Sequence, residues 1–201
     1  MNEDAFWALI DELSRRTGDL DERTEWLRTE LLRRPAAEIV EFQVRLDDAC
    51  EVAGTRALWR AANRIESGAC TDDGFHYFTL WLVGQGRKVY DSVVADPDAL
   101  ADAPGIRALV GRHRDEWDDD EWPEWEELDY VAQDAYDELT GQQNDHGEEF
   151  DDAVDERAEE LVDELSDPEE WEEGDEPRGS RPEGVAMPRL VSLFPLGTSG
   201  S

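Results

Sequence analysis

The sequence predicts an all-α protein: a compact multi-helix domain in residues 1–140, an acidic helix in 141–166 and a disordered tail in 167–201. Three observations support this fold class. Apolar residues recur at spacings of three and four, capping residues and helix-ending Gly or Pro separate the apolar segments, and no alternating apolar–polar run is long enough for a strand. With 201 residues, of which 39% are hydrophobic, the chain can form one core of ordinary size.

Four helices are predicted before residue 70. Asn2 and Asp19 are suitable N-caps, and Pro35 both ends the second helix and suits the first turn of the third. Gly54 and Gly68 follow the third and fourth helices. The apolar faces of these four helices consist, in order, of Phe6, Ile10 and Leu13; Leu20, Trp26, Leu27 and Leu31; Ile39, Phe42, Leu46 and Ala49; and Leu58, Trp59, Ala62 and Ile65.

A fifth helix is predicted to begin after Thr71. Its hydroxyl is a suitable N-cap, and Asp72 and Asp73 fall in the first turn, where the helix dipole favours each carboxylate by about 0.3–1 kcal/mol. The segment Gly84-Gln85-Gly86 should bend or interrupt this helix, and the apolar spacing then continues to Asp96-Pro97.

The chain is strongly acidic, and the charge is unevenly distributed. The formal net charge is −34, and 32 of the 53 acidic residues lie in positions 111–184. Such a field repels nucleic acid and anionic membranes but attracts a basic protein. There is no apolar run of about 18 residues, and the acidic N-terminus does not resemble a signal peptide, so we expect a cytoplasmic protein without a membrane segment.

Residues 111–127 differ in character from the segments before them. Three tryptophans, Trp117, Trp122 and Trp125, stand among clustered carboxylates, which predicts a linker or a loop along the surface. Two further amphipathic helices follow, over about 128–139 and 150–165. After Ser166 the composition predicts disorder, although the locally apolar segment 185–196 leaves open whether this part docks on the core or on a partner.

Short segments in a fixed order mark the first 140 residues: Phe6-Trp7-Ala8-Leu9-Ile10, Ile39-Val40-Glu41-Phe42, Leu58-Trp59-Arg60-Ala61-Ala62, residues 68–78, Trp81-Leu82, Gln85-Gly86-Arg87 and residues 96–101. Together these segments resemble one bacterial family, the domain of unknown function family 4240. The resemblance implies no established activity, because that family has none. Two departures from the usual family pattern are the pair Asn63-Arg64, where a tyrosine is usual, and Thr71, where serine is common.

The helix start at residues 71–75 is the candidate ligand site. Its carboxylates and imidazole suit acid–base work or one metal ion, and Arg87 suits an anionic ligand. The alternative is a capped helix start with an exposed His76, and an internal salt bridge from Arg87 to Asp72 or Asp73. We predict neither a metal nor a cofactor, because a divalent ion needs three or more ligands and the sequence shows no second cluster. The candidate ligand-binding residues are Trp59, Asp72, Asp73, His76, Tyr77 and Arg87.

Two functional hypotheses follow. In the first, the protein is a binding module, of an immunity or regulatory type, whose acidic half engages a basic protein through Trp117, Trp122 and Trp125. The competing explanation for these residues is solubility, with the tryptophans folded back onto the core. In the second hypothesis, the protein is a small enzyme or ligand-binding domain with its site at residues 71–75 and Arg87.

Overall fold

A computed structural model describes residues 1–141, 147–165 and 186–195 of this chain, and it confirms the all-α fold. Among these residues there is no strand, and no helix combines the length and the apolar character that crossing a membrane requires. The α-helices are α1 (Glu3–Ser14), α2 (Leu20–Leu31), α3 (Ala36–Ala53), α4 (Arg56–Ile65), α5 (Asp72–Gly84), α6 (Arg87–Ala95), α7 (Pro104–Ala108), α8 (Glu127–Thr140), α9 (Glu148–Leu165) and α10 (Pro188–Leu193). Short 3-10 helices span Pro97–Asp102, Arg114–Glu116 and Asp119–Glu121.

Side-chain caps determine where several of these helices begin. The carboxamide oxygen of Asn2 accepts the N–H of Ala5 at 2.9 Å, and the carboxylate of Asp19 accepts the N–H of Glu22 at 2.8 Å. The hydroxyl of Thr71 accepts the N–H of Gly74 at 3.0 Å. These bonds satisfy N–H groups that have no partner within the helix, so the three predicted N-caps are confirmed.

The core is built around α3 and α5. Helix α3 packs against α1, α5, α8 and α9, and α5 also contacts α1, α4, α6 and α8. Residues 78–84 of α5 are all buried, which shows that this half of the helix is enclosed on every side. The largest fully buried side chains are Phe6, Ile10, Leu13, Leu27, Leu31, Ile39, Phe42, Leu46, Leu58, Ile65, Phe78 and Trp125.

The predicted interruption at Gly84-Gln85-Gly86 is confirmed. Helix α5 ends at Gly84 and α6 begins at Arg87. Gly86 has φ of 92°, a conformation that residues with a Cβ rarely adopt. The carboxylate of Asp11 in α1 accepts the backbone N–H of Arg87 at 2.8 Å and so caps the start of α6.

The loop before α8 packs onto the domain, in agreement with the surface-loop alternative for residues 111–127. Trp117 and Trp125 of this loop are buried in the core of the domain. Arg112 donates to both carboxylate oxygens of Glu121 at 2.6 Å and so joins the two ends of the loop's first half. Such a two-point bond restricts both side chains more than a single contact does. The loop therefore has a defined path between α7 and α8.

Disorder was predicted for the whole of residues 167–201, and this prediction is wrong for residues 186–195. They include α10, which packs against α4 and the 3-10 helix Pro97–Asp102. Docking on the core, which the sequence left open, is what the structure shows for this segment. The other residues of the predicted tail lie outside the described part of the chain. The predicted acidic helix corresponds to α9, which packs on α3.

Candidate functional site

The predicted site at the start of α5 is not assembled as one cluster. Asp72 and Asp73 are exposed in the first turn of the helix. The Nε2 atom of His76 lies 3.2 Å from the carboxylate of Asp129 in α8. The hydrogen bond to Asp129 raises the pKa of His76 above its usual value. The imidazole is thus paired with α8, whereas the sequence predicted that its partners would be the aspartates of its own helix, α5.

Arg87 lies at the opposite end of α5, about 20 Å along the axis of a 13-residue helix. Its guanidinium contacts Glu3 at 2.8 Å and Asp4 at 3.2 Å, both at the start of α1, and Asp91 at 3.8 Å. The predicted salt bridge to Asp72 or Asp73 is therefore wrong. The carboxylates at the start of α1 are close in space to Arg87, and the sequence spacing gave no sign of this.

Trp59, the remaining aromatic candidate besides Tyr77, is half-buried on α4. That helix packs against α5, α10 and the 3-10 helix Pro97–Asp102. Trp59 lines neither of the two grooves described below. The geometry does not favour the ligand-binding hypothesis at residues 71–75, because His76 and Arg87 pair with other helices while the two aspartates of the first turn are exposed.

One open groove of about 670 Å³ gathers acidic and aromatic side chains, and we call it the acidic groove. It lies between the start of α2, the middle of α5, the loop before α8 and the start of α8. None of its lining residues is basic. The lining residues are Leu20, Asp21, Tyr77, Asp119, Asp120, Trp122, Glu124, Glu126 and Glu127.

Trp125 positions the wall of the acidic groove. Its side chain is 0% exposed, its indole N–H donates to the hydroxyl of Thr24 at 2.9 Å, and its backbone N–H donates to the carbonyl of Tyr77 at 3.1 Å. The guanidinium carbon of Arg23 lies 4.4 Å from the centre of the indole ring. These contacts hold α2, α5 and the loop together, so they fix the distances between the carboxylates that α2 and the loop contribute to the acidic groove.

The three tryptophans predicted to contact a partner differ in exposure. Trp117 and Trp125 are buried, so for these two the fold-back explanation agrees with the structure. Trp122 is only half-buried, lines the acidic groove and packs edge-on against Trp117 with ring centres 5.0 Å apart. Trp122 is therefore the tryptophan of this loop that remains accessible to a partner.

Several groove carboxylates have no counter-charge among the described residues. Glu126 accepts a hydrogen bond from the hydroxyl of Tyr77 at 3.2 Å. In the part of the chain that the structure describes, Asp21, Asp119, Asp120 and Glu127 contact no cationic group. A cluster of like charges without a counter-ion produces a negative potential that favours an external cation.

A second acidic groove, of about 520 Å³, adjoins the same helix. Residues 129 and 130 of α8 line it, whereas residues 126 and 127 line the first groove, so the first turns of α8 separate the two. Its lining residues are Gln43, Asp47, Asp129, Tyr130, Gln133, Phe150, Asp151, Val154 and Asp155. Neither groove has a basic lining residue.

Glu66, which no sequence pattern singled out, is only 2% exposed at the end of α4. Its Oε1 atom has no hydrogen-bond partner among the described residues. Burial, together with the nearby charge of Glu124, raises the pKa of Glu66 to about 7, although Cys70 and Arg114 oppose this change. No pattern in the sequence distinguishes Glu66 from the many exposed glutamates, since its burial results from tertiary packing.

Neither cysteine is activated as a nucleophile. Burial raises the pKa of both the Cys50 and the Cys70 thiol to about 12, so each stays protonated at neutral pH. The thiolate is the reactive form, and reactive cysteines have a lowered pKa instead. Within residues 1–141, 147–165 and 186–195, no three His, Cys, Asp or Glu side chains are grouped so as to hold a metal ion.

The chain was compared with protein families, curated proteins and solved structures. The comparisons with curated proteins and with solved structures each gave no match. The model of one family, described as "Protein of unknown function (DUF4240)", matches residues 1–138. This range includes α1 to α7, the loop with the tryptophans and nearly all of α8. Because the match covers more than half of the sequence, the chain belongs to the DUF4240 family.

Proposed function

We propose that this protein is a binding module that engages a basic protein partner through the acidic groove. The observation that supports this proposal best is the composition of the groove: six carboxylates surround Tyr77 and Trp122, and no cation lines it. In an immunity-type or regulatory role, occupation of the groove would mask the basic surface of the partner.

The chemistry of the groove suits arginine or lysine side chains. A guanidinium can pair with carboxylates and also lie over the face of an aromatic ring, and such cation–π contacts contribute about 0.5–1 kcal/mol at exposed sites. Tyr77 and Trp122 provide aromatic surface beside carboxylates that have no cationic partner in the described part of the chain. A basic segment with exposed arginines is therefore the ligand class that fits both features.

The test compares two variants of equal net charge. One replaces groove residues (Asp119→Asn with Asp120→Asn), and the other replaces exposed acidic residues outside both grooves (Asp134→Asn with Glu51→Gln). An arginine octapeptide serves as the probe, and titration calorimetry measures its dissociation constant. Exposed ion pairs contribute about 0.2–1 kcal/mol each, so we expect the groove variant to bind roughly two- to thirtyfold more weakly than the unmodified chain.

The control variant should bind within about twofold of the unmodified chain, since a general field effect of two charges is screened beyond about 10 Å at moderate salt. Affinity should also fall steadily as the salt concentration rises. Equal losses in the two variants would show that only net charge matters and would contradict a groove-specific site. Unchanged affinity at high salt would contradict the electrostatic basis of the proposal.

A further inference from the structure

A second surface of the molecule holds a peptide segment in a specific way. Asp98, in the 3-10 helix Pro97–Asp102, is only 4% exposed. Its Oδ1 accepts the backbone N–H of Leu190 at 2.9 Å, and its Oδ2 accepts the backbone N–H of Arg189 at 3.1 Å and the side-chain Nε of Arg189 at 3.2 Å. Among the described residues, the hydrogen bonds that this carboxylate accepts all come from the C-terminal segment.

Side chains on both sides of Asp98 complete the contact. Arg189 also donates to Asp102 at 2.5 Å, and Arg64 of α4 donates to the carbonyl of Phe194 at 3.4 Å. Leu190 is fully buried, and Phe194 is 9% exposed. The segment therefore has two apolar anchors four residues apart and a charged residue at its start, all of which meet complementary groups.

The surface around Asp98 and the segment that docks on it belong to different parts of the sequence. Arg64, Asp98 and Asp102 lie within the family match, whereas residues 186–195 lie outside it. The sequence between α9 and the docked segment, residues 166–185, contains eight acidic and two basic residues. Twenty residues reach at most about 70 Å when extended. A connection of this length could reach many surfaces of the domain, so it does not by itself hold the segment on this one.

Docking of this segment is set by a few contacts. Two buried apolar side chains, the partly buried Met187 and Leu193, and one charge cluster hold ten residues, while ordering each of those residues opposes docking through lost conformational entropy. A segment held by few anchors at the end of a long connection exchanges more readily than a helix embedded in the core.

We propose that the surface formed by α4 and the 3-10 helix Pro97–Asp102 is a peptide-recognition groove for segments of the form Arg-Leu-x-x-x-Phe, and that residues 186–195 are its resident, exchangeable ligand. Asp98 selects the start of the segment by accepting two of the segment's backbone N–H groups and the side chain of its arginine. The apolar surface selects Leu and Phe. This interaction is separate from the acidic groove and does not depend on it.

The test uses the full chain and a fluorescently labelled synthetic peptide of residues 186–195. Leu190→Asp in the full chain displaces the resident segment, because a charge cannot occupy the fully buried leucine site. Val191→Asp is the matched control, since Val191 is 45% exposed and the same charge is tolerated there. Fluorescence anisotropy should show saturable binding of the peptide to the Leu190→Asp chain, and at least tenfold weaker binding to the unmodified and Val191→Asp chains.

Two further variants make the outcome decisive. Adding Asp98→Asn to the Leu190→Asp chain should weaken peptide binding at least tenfold, because the charged acceptor is lost. Arg189→Glu displaces the segment by repulsion from Asp98 and Asp102 without altering any buried apolar residue, so it replaces Leu190→Asp if that chain does not fold. Failure of the peptide to bind either displaced chain, binding that ignores Asp98→Asn, or equal binding to the unmodified chain would each overturn the proposal.

Discussion

Replacing Gly84 by alanine is expected to destabilise the domain by about 2 kcal/mol. A Cβ atom at this position would lie 2.6 Å from Cε3 of Trp125 and still closer to Cζ3. The indole cannot move aside easily, because it is fully buried and bonded to Thr24. Overpacking of this kind costs about 1–3 kcal/mol, and the better helix propensity of alanine recovers at most about 1 kcal/mol.

Thermal unfolding followed by circular dichroism would measure this effect, with an expected decrease in Tm of about 4–8 °C. The control is a double-mutant cycle with Trp125→Leu. That substitution alone leaves a cavity, but it also provides space for the new methyl group, so the two losses should add up to more than the loss in the double variant. Strict additivity would show that the close approach of Gly84 and Trp125 does not determine the effect.

Replacing Glu66 by glutamine is expected to stabilise the protein at alkaline pH and to reduce the dependence of its stability on pH. Burial raises the pKa of Glu66 from 4.5 to about 7. Below the lower value, the carboxyl is protonated in both the folded and the unfolded chain, and its burial has no ionisation cost. Between about pH 4.5 and 7 the unfolded chain ionises this carboxyl while the folded chain keeps it protonated, so the free energy of unfolding falls across this range and levels off above pH 7.

The expected size of this effect follows from the same pKa. Between about pH 5.5 and 7 the free energy of unfolding of the unmodified chain should fall by about 1.5 kcal/mol relative to Glu66→Gln, and by less than about 0.5 kcal/mol more up to pH 8.5. Urea unfolding at several pH values measures it. Comparing the two chains removes the contributions of groups common to both, such as His76, whose raised pKa gives a stability change of the same sign.

Glu51→Gln is the control for this experiment, because Glu51 is exposed near the end of α3. Its stability should follow that of the unmodified chain across the whole pH range. If Glu66→Gln also runs parallel to the unmodified chain, then the Glu66 carboxyl does not titrate in this range, and its burial has no electrostatic consequence.

Local features of the sequence were sufficient to predict most of the helical framework. The caps at Asn2, Asp19 and Thr71 depend on a side chain and a backbone N–H that are three residues apart. The break at residues 84–86 was visible from two closely spaced glycines, of which Gly86 has a positive φ. The family resemblance, which the match to residues 1–138 confirms, also depends on short segments in a fixed order. Each of these signals is contained in a few consecutive residues.

The candidate site could be predicted only in part. The concentration of carboxylates and aromatic residues in residues 117–127 was visible in the sequence, and six of the nine lining residues of the acidic groove come from 119–127. The sequence could not show that Trp125 is buried while Trp122 stays accessible, because both have similar neighbours along the chain. Burial is decided by which helices the loop crosses.

The sequence alone determined the helical class, the boundaries of most helices and the strong negative charge. Tertiary structure alone decided that Arg87 pairs with the start of α1, that Glu66 is enclosed and that residues 186–195 dock beside Asp98. The physical reason is the range of the interactions. Capping bonds and helical periodicity act within a few residues, whereas burial and ion pairing join groups that are separated by tens of residues and meet only when the helices pack.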